Sequence, residues 1–127
     1  GYFDNIEDVT LNNKNFRKVL YTGTYMQLVV MSLKPGEEIG VEVHNSVDQF
    51  FRVDEGEGKL ILDGEEMNFA DGDAFIVPAG SEHNVVNTSD SVDLKLYTIY
   101  APPNHPDGTL HKDKAEADEY EREHHHD

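Results

Sequence analysis

The chain has 127 residues, the usual size of one domain, and no cysteine, so a disulfide framework, thiolate metal sites, iron–sulfur clusters and a cysteine nucleophile are all excluded. Ten Lys and Arg stand against 26 Asp and Glu, a net charge of -16 with His neutral, which removes the cationic face that nucleic acid or an anionic membrane surface needs. Hydrophobic residues are 37% of the chain, too many and too well patterned for general disorder, so the polarity has to collect on a surface or at an end.

The opening GYFDNIED has neither the basic end nor the apolar stretch of a signal peptide, and no apolar run nears the ~18 residues of a membrane span. A cytoplasmic protein is expected. From Phe16 to Tyr100 short β-branched and aromatic runs alternate with Gly, Pro, Asn and Asp, the pattern of an all-β barrel or sandwich. The predicted strands are Phe16–Tyr21, Tyr25–Leu33, Ile39–Val43, Gln49–Val53, Lys59–Leu62, Glu65–Phe69, Ala74–Val77, His83–Asn87 and Val92–Tyr100. Nothing in this range has helical periodicity. Pro35-Gly36 fits a type II turn, and Asp63-Gly64 between two strand patterns is the strongest hairpin signal. Nine short strands closing on themselves suit a two-sheet jelly roll.

Beyond Tyr100 a proline-broken loop, residues 101–108, ends the strand pattern. His105 and His111 read as solvated loop residues, the alternative being that they fold over the barrel mouth and touch a substrate. Residues 111–127 carry seven acids and three bases, so this tail is -4 and the preceding 110 residues are -12. Asp113 and Glu116 form a capping pair for a helix over Lys114–Glu123, but Ala115, Ala117 and Tyr120 make no broad apolar stripe, so a frayed helix or disorder is expected there. His124-His125-His126 reads as a solvated end. The domain reading is one barrel over 1–110, with its motif core in 26–100, followed by the acidic tail.

The stretch from Gly36 to Gly56 is the most informative. Residues i and i+2 of a strand share a face, so Glu42 and His44 project together. A turn at Asn45–Asp48 would bring Gln49 alongside them, and His83 could complete a cluster of nitrogen and oxygen donors. Alternation puts Gln49, Phe51 and Val53 on one face, which turns the competing donor Asp48 away. Such donors suit a borderline or hard divalent ion, whether Zn, Fe, Mn, Co or Ni. The ordinary alternative is two half-buried histidines beside a surface carboxylate. Tyr97 and Tyr100 read as core residues.

Gly36, Glu42, His44, Gln49 and Gly56, followed by Gly72, Pro78, Gly80, His83 and Asn87, resemble the two motifs of the cupin superfamily in residue type and spacing. The resemblance implies an all-β double-stranded β-helix, a jelly-roll barrel, with one divalent metal ion per chain held by Glu42, His44, Gln49 and His83. Two positions depart from the family pattern: Glu42 replaces a histidine and Gln49 a glutamate, leaving the formal ligand charge unchanged. Small cupins with Gln at that position include pectin-pathway enzymes that ketonise unsaturated uronates. The resemblance therefore implies an isomerase-like proton shuttle on a small polar carbonyl or sugar-like metabolite, with Glu42 as a general base if it is not a ligand. The alternatives are a non-catalytic metal- or ligand-binding cupin, and an Fe(II)-dependent dioxygenase built on Glu42, His44 and His83 as a two-histidine, one-carboxylate set. None of the seven bases in residues 1–110 is predicted beside the pocket, which favours an unphosphorylated ligand. Small cupins commonly pair, which implies a homodimer, with Phe16–Tyr21 the candidate for a strand crossing to the partner.

Overall fold

The computed structural model describes residues 1–124. Its elements in order are α1 (Ile6–Asn12), β1 (Arg17–Thr22), β2 (Gln27–Leu33), β3 (Glu42–Val43), β4 (Asp48–Glu55), β5 (Glu57–Leu62), β6 (Glu65–Ala70), β7 (Ala74–Val77), β8 (Glu82–Asn87), β9 (Leu94–Ala101), β10 (Leu110–His111) and α2 (Lys114–Glu123). Among the described residues the strands form a six-stranded sheet, β10-β1-β2-β9-β4-β7, facing a four-stranded one, β3-β8-β5-β6. The all-β jelly roll read from the turn and strand pattern is the fold.

Register explains what fills it. Gln27, Tyr100, Gln49 and Val77 stand in one row across the larger sheet; Val29, Thr98, Phe51 and Phe75 form the next, and Met31, Leu96 and Val53 the third. Because these positions are two residues apart on each strand, all three rows face inward. The third row, with Leu33 and Leu94, is fully buried and meets Leu60 and Val85 of the opposite sheet. Phe51 stacks on Phe75 at 4.8 Å, and Phe75 lies 5.3 Å from Phe69. The outer face of the larger sheet is covered as well: Val30, Ser32 and Lys95 are buried there, and Lys95 Nζ donates to Asn13 O just after α1 at 2.6 Å.

Local chemistry accounts for the turns. Asp63 and Gly64 both take positive φ, 48° and 82°, as a two-residue hairpin turn of the predicted kind requires. Gly56 has φ of 102°, and a Cβ there would sit 2.9 Å from Asp93 O, so only glycine fits. Asn87 closes the second motif by donating to Leu33 O and Val92 O while its Oδ1 accepts from Ser89 N.

Four features differ from the sequence reading. α1 was not foreseen; its signal is Asn5, whose side chain accepts from Asp8 N as a helix cap. The strand predicted over Ile39–Val43 shrinks to β3 because Gly40, at φ of 109°, breaks the extended run. Past the proline-broken loop, β10 adds to β1 through Arg17↔His111 and Lys18↔Leu110. The tail is not frayed or disordered over Lys114–Glu123: Asp113 Oδ1 caps Glu116 N at 2.8 Å, Ala117 is buried against the barrel, and Lys114 Nζ donates to Ile39 O at 3.0 Å. Capping and docking supply what an apolar stripe did not. Of the histidine run, His125 and His126 lie outside the described residues.

Candidate functional site

β3 pairs with β8 in the register Glu42↔His83, which brings the two motifs side by side, and Gly80 N donates to His44 O at 2.9 Å to hold the second turn against the first. Glu42 Oε2 faces His44 Nε2 at 3.3 Å, and the rings of His44 and His83 are 5.4 Å apart. His83 Nδ1 lies 3.1 Å from Ser81 O. A carbonyl only accepts, so Nδ1 carries the proton and Nε2 is the nitrogen with a lone pair. Gln49 is buried at the same end; its Nε2 donates to Thr98 Oγ1 at 3.0 Å, and its buried Oε1 has no hydrogen-bond partner among the described residues. Asp48 is exposed and accepts from Ala79 N, as the alternation predicts.

Other residues share this end of the barrel. Arg17, the inward neighbour of Met31, is buried, and its Nη1 donates to His111 Nδ1 at 3.3 Å. Tyr100 is buried in the core as expected, but its hydroxyl meets His105 Nε2 at 3.2 Å. Gln27, wholly buried, staples the following loop: Oε1 accepts from Asn104 N and His105 N, and Nε2 donates to His105 O. Two expectations are thereby corrected. His105 and His111 are not solvated loop residues, since Gln27 pulls one inward and the β10–β1 pairing the other. A base does stand beside the pocket: Arg17 occupies an inward position of β1, where alternation rather than polarity decides the direction of the side chain.

The charges act on one another. Burial pushes the Glu42 carboxyl up, but the hydrogen bond from His44 and the charges of Arg17, His44 and His83 outweigh it, so its pKa is lowered and it is a carboxylate at neutral pH. Burial raises the Tyr100 phenol to about 12, although Arg17 opposes the rise, so Tyr100 stays protonated and can donate. Burial and the Arg17 charge both lower His111, against Glu116. A neutral His111 matches the geometry, since Nδ1 has to accept from a guanidinium that only donates. Between β3 and α2 lies a cavity of about 420 Å³, lined among others by Arg17, Ile39, Glu42, Lys114, Ala117 and Glu121.

Residues 29–100 match the cupin domain family model, more than half of the chain. The chain belongs to the cupin family. This cupin is 49% identical over 119 residues to the uncharacterized protein YrkC of Bacillus subtilis, a match covering 89% of the chain and 63% of YrkC, so the chain spans under two thirds of that relative's length. It is 31% identical over 78 residues to quercetin 2,3-dioxygenase of Bacillus subtilis, covering 61% of the chain and 23% of that enzyme. The crystal structure of BH2720 from Bacillus halodurans superposes with a TM-score of 0.90 at 44% identity over 93% of each chain.

Cupins often hold a metal, and the donors here fit a borderline divalent ion in type: a carboxylate, two imidazoles, one with Nε2 left unprotonated by its backbone bond, and an orphaned buried amide oxygen. The side chains do not converge on a single point. Among the described residues no three His, Asp or Glu side chains are grouped as a ligand set, because Glu42 and His44 face each other while His83 stands a ring's width away.

Proposed function

We propose that this cupin binds one divalent metal ion through Glu42, His44, Gln49 and His83 and acts on a small, polar, unphosphorylated carbonyl or sugar-like metabolite by an isomerase-type proton transfer. The observation that carries this reading is the buried Gln49 Oε1 without a partner, beside two imidazoles and a carboxylate, at the one end of the barrel where the lining is polar. Bound there, a divalent ion supplies Lewis acidity toward a carbonyl oxygen.

The chain's own residues supply the rest. Thr98 and Ser81 hold the side chains of Gln49 and His83 by hydrogen bonds, leaving Gln49 Oε1 and His83 Nε2 as the donors to the ion. Tyr100, protonated across the neutral range, keeps a neutral hydroxyl at this end, beside His105 Nε2. Glu42 is kept ionised and can accept a proton from carbon when it is not engaged as a ligand. The carboxylates of Glu42, Asp118 and Glu121 line the cavity and oppose a doubly charged phosphate.

Element analysis of protein produced in metal-replete medium tests the first half, with about one equivalent per chain expected. Deuterium incorporation from D2O at carbon next to the carbonyl, followed by NMR over a panel of hydroxy-carbonyl compounds, tests the second. No exchange with any compound in metal-loaded protein would leave a non-catalytic binding cupin. The likeness to quercetin 2,3-dioxygenase favours a second reading, Fe(II) and dioxygen chemistry with Glu42, His44 and His83 as ligands. Oxygen uptake by the Fe(II)-loaded protein with quercetin separates it from the first.

A further inference from the structure

Arg17 is 4% exposed, and among the described residues it makes no ion pair within 4 Å, while its Nε is buried with no hydrogen-bond partner. Its Nη1 donates to His111 Nδ1, the Tyr100 hydroxyl is a second hydrogen-bond partner of the guanidinium, neither of them an anion, and the guanidinium lies over the ring of Phe16 at 5.3 Å. A buried cation is costly unless an anion compensates it, and a planar fork with a free N–H is suited to a carboxylate. The second cation of the cavity is already engaged, since Lys114 Nζ bonds Asp118 Oδ1 at 2.8 Å and Ile39 O at 3.0 Å. Glu42 helps balance Arg17 through space, but no carboxylate of the described residues reaches it.

We propose that Arg17 is the anchor for a carboxylate group of the ligand, which enters the cavity between β3 and α2. The substrate class narrows accordingly to small organic acids that carry a carbonyl or hydroxyl within reach of the Glu42–His44–His83 end, such as keto or hydroxy acids. A phosphate is disfavoured because Glu42, Asp118 and Glu121 surround the same space, and a singly charged planar group meets less repulsion. The inference deepens the proposed function, resting on the polar end being a ligand site, but the anion anchor needs no metal.

The test titrates pyruvate and lactate into the full chain, with pyruvamide as the neutral counterpart and inorganic phosphate as the competing anion. It follows the Arg17 Nε–H signal by NMR, assigned through bonds, together with melting temperature. The expected result is a shifted Nε–H signal and a raised melting temperature with a carboxylate and not with pyruvamide, and affinity about tenfold weaker in Arg17→Gln. Equal responses to pyruvate, lactate and pyruvamide, no response to either carboxylate, or an unchanged response in Arg17→Gln would overturn it. Phosphate acting as well as the carboxylates would overturn the assignment to carboxylate. If Arg17→Gln does not fold, the wild-type Nε–H titration decides alone. Metal content measured on the same samples keeps the two readings apart: metal without a carboxylate response defeats only the anchor, and a carboxylate response without metal defeats only the metal site.

Discussion

Two ends of one barrel interior, made by the same strands, differ in how they are held. At one end Met31, Leu33, Phe51, Val53, Leu94 and Leu96 are sealed from water in a hydrophobic cluster. At the other, past the row that Val29, Thr98 and Phe51 share, the same strands turn Gln27, Gln49 and Tyr100 inward, joined by His44, His83, His105, His111 and the side chain of Arg17, which reaches Tyr100 from a backbone position opposite Met31. Burial is equally deep in both, so the division is not between inside and outside. The apolar end is stabilised by non-directional area and is sensitive to volume. The polar end depends on hydrogen bonds with fixed partners, and each lost partner leaves a buried group unsatisfied. Alternation carries any side chain inward at these positions, and the barrel uses that freedom to hold chemistry at one end and stability at the other.

The largest effect expected is at the apolar end. Phe51→Ala removes a fully buried ring stacked on Phe75 and should cost about 3–5 kcal/mol in urea unfolding. At the polar end the same depth of burial should yield a smaller loss. Gln27→Ala deletes bonds to Asn104 and His105 and should cost about 2 kcal/mol, and it should lose the His105–Tyr100 contact, visible as a change in the His105 NMR signals. An equal cost for the two would erase the distinction between the ends.

Smaller again is a pH effect confined to the polar end. The folded pKa of His111 lies below its unfolded value, about 6.5, so protonation favours the unfolded chain. The His111 contribution is fully present above that pH and is lost as pH falls from there through the lower folded value, because protonated His111 would face Arg17. Melting temperature should therefore fall more in wild type than in His111→Asn between pH 7 and 5, endpoints on either side of the ordinary histidine value of about 6.5. The smallest change is expected from Asp48→Ala, within about 0.5 kcal/mol and with metal content unchanged, since Asp48 is exposed and only bonds Ala79 N.

The apolar end was legible in the sequence and the polar end only in part. Alternation in β4 sorted Gln49 from Asp48, and Asp63-Gly64 named its turn, because both are local rules of backbone geometry. The two glycine-rich motifs placed Glu42, His44 and His83 together because their spacing matches a known barrel. Arg17 was not legible: an arginine beside a lysine on a short strand reads as surface, and its direction is set only when β2 and β10 pair on either side. His105 and His111 read as solvated for a related reason. They sit in a segment without periodicity, and a glutamine 78 residues earlier pulls His105 inward. The docking of α2 rests on Ala117 buried in the core cluster and on a lysine reaching a backbone oxygen across 75 residues, which no helical pattern encodes.

The central claim is that the polar end holds one divalent ion on Glu42, His44, Gln49 and His83. It is tested most directly by element-resolved metal content together with anomalous density in crystals of protein grown in metal-replete medium. The account expects about one ion per chain at that site, bound by these four residues and lost in His44→Ala with the apolar core intact. An ordered pocket with no metal under those conditions would contradict it.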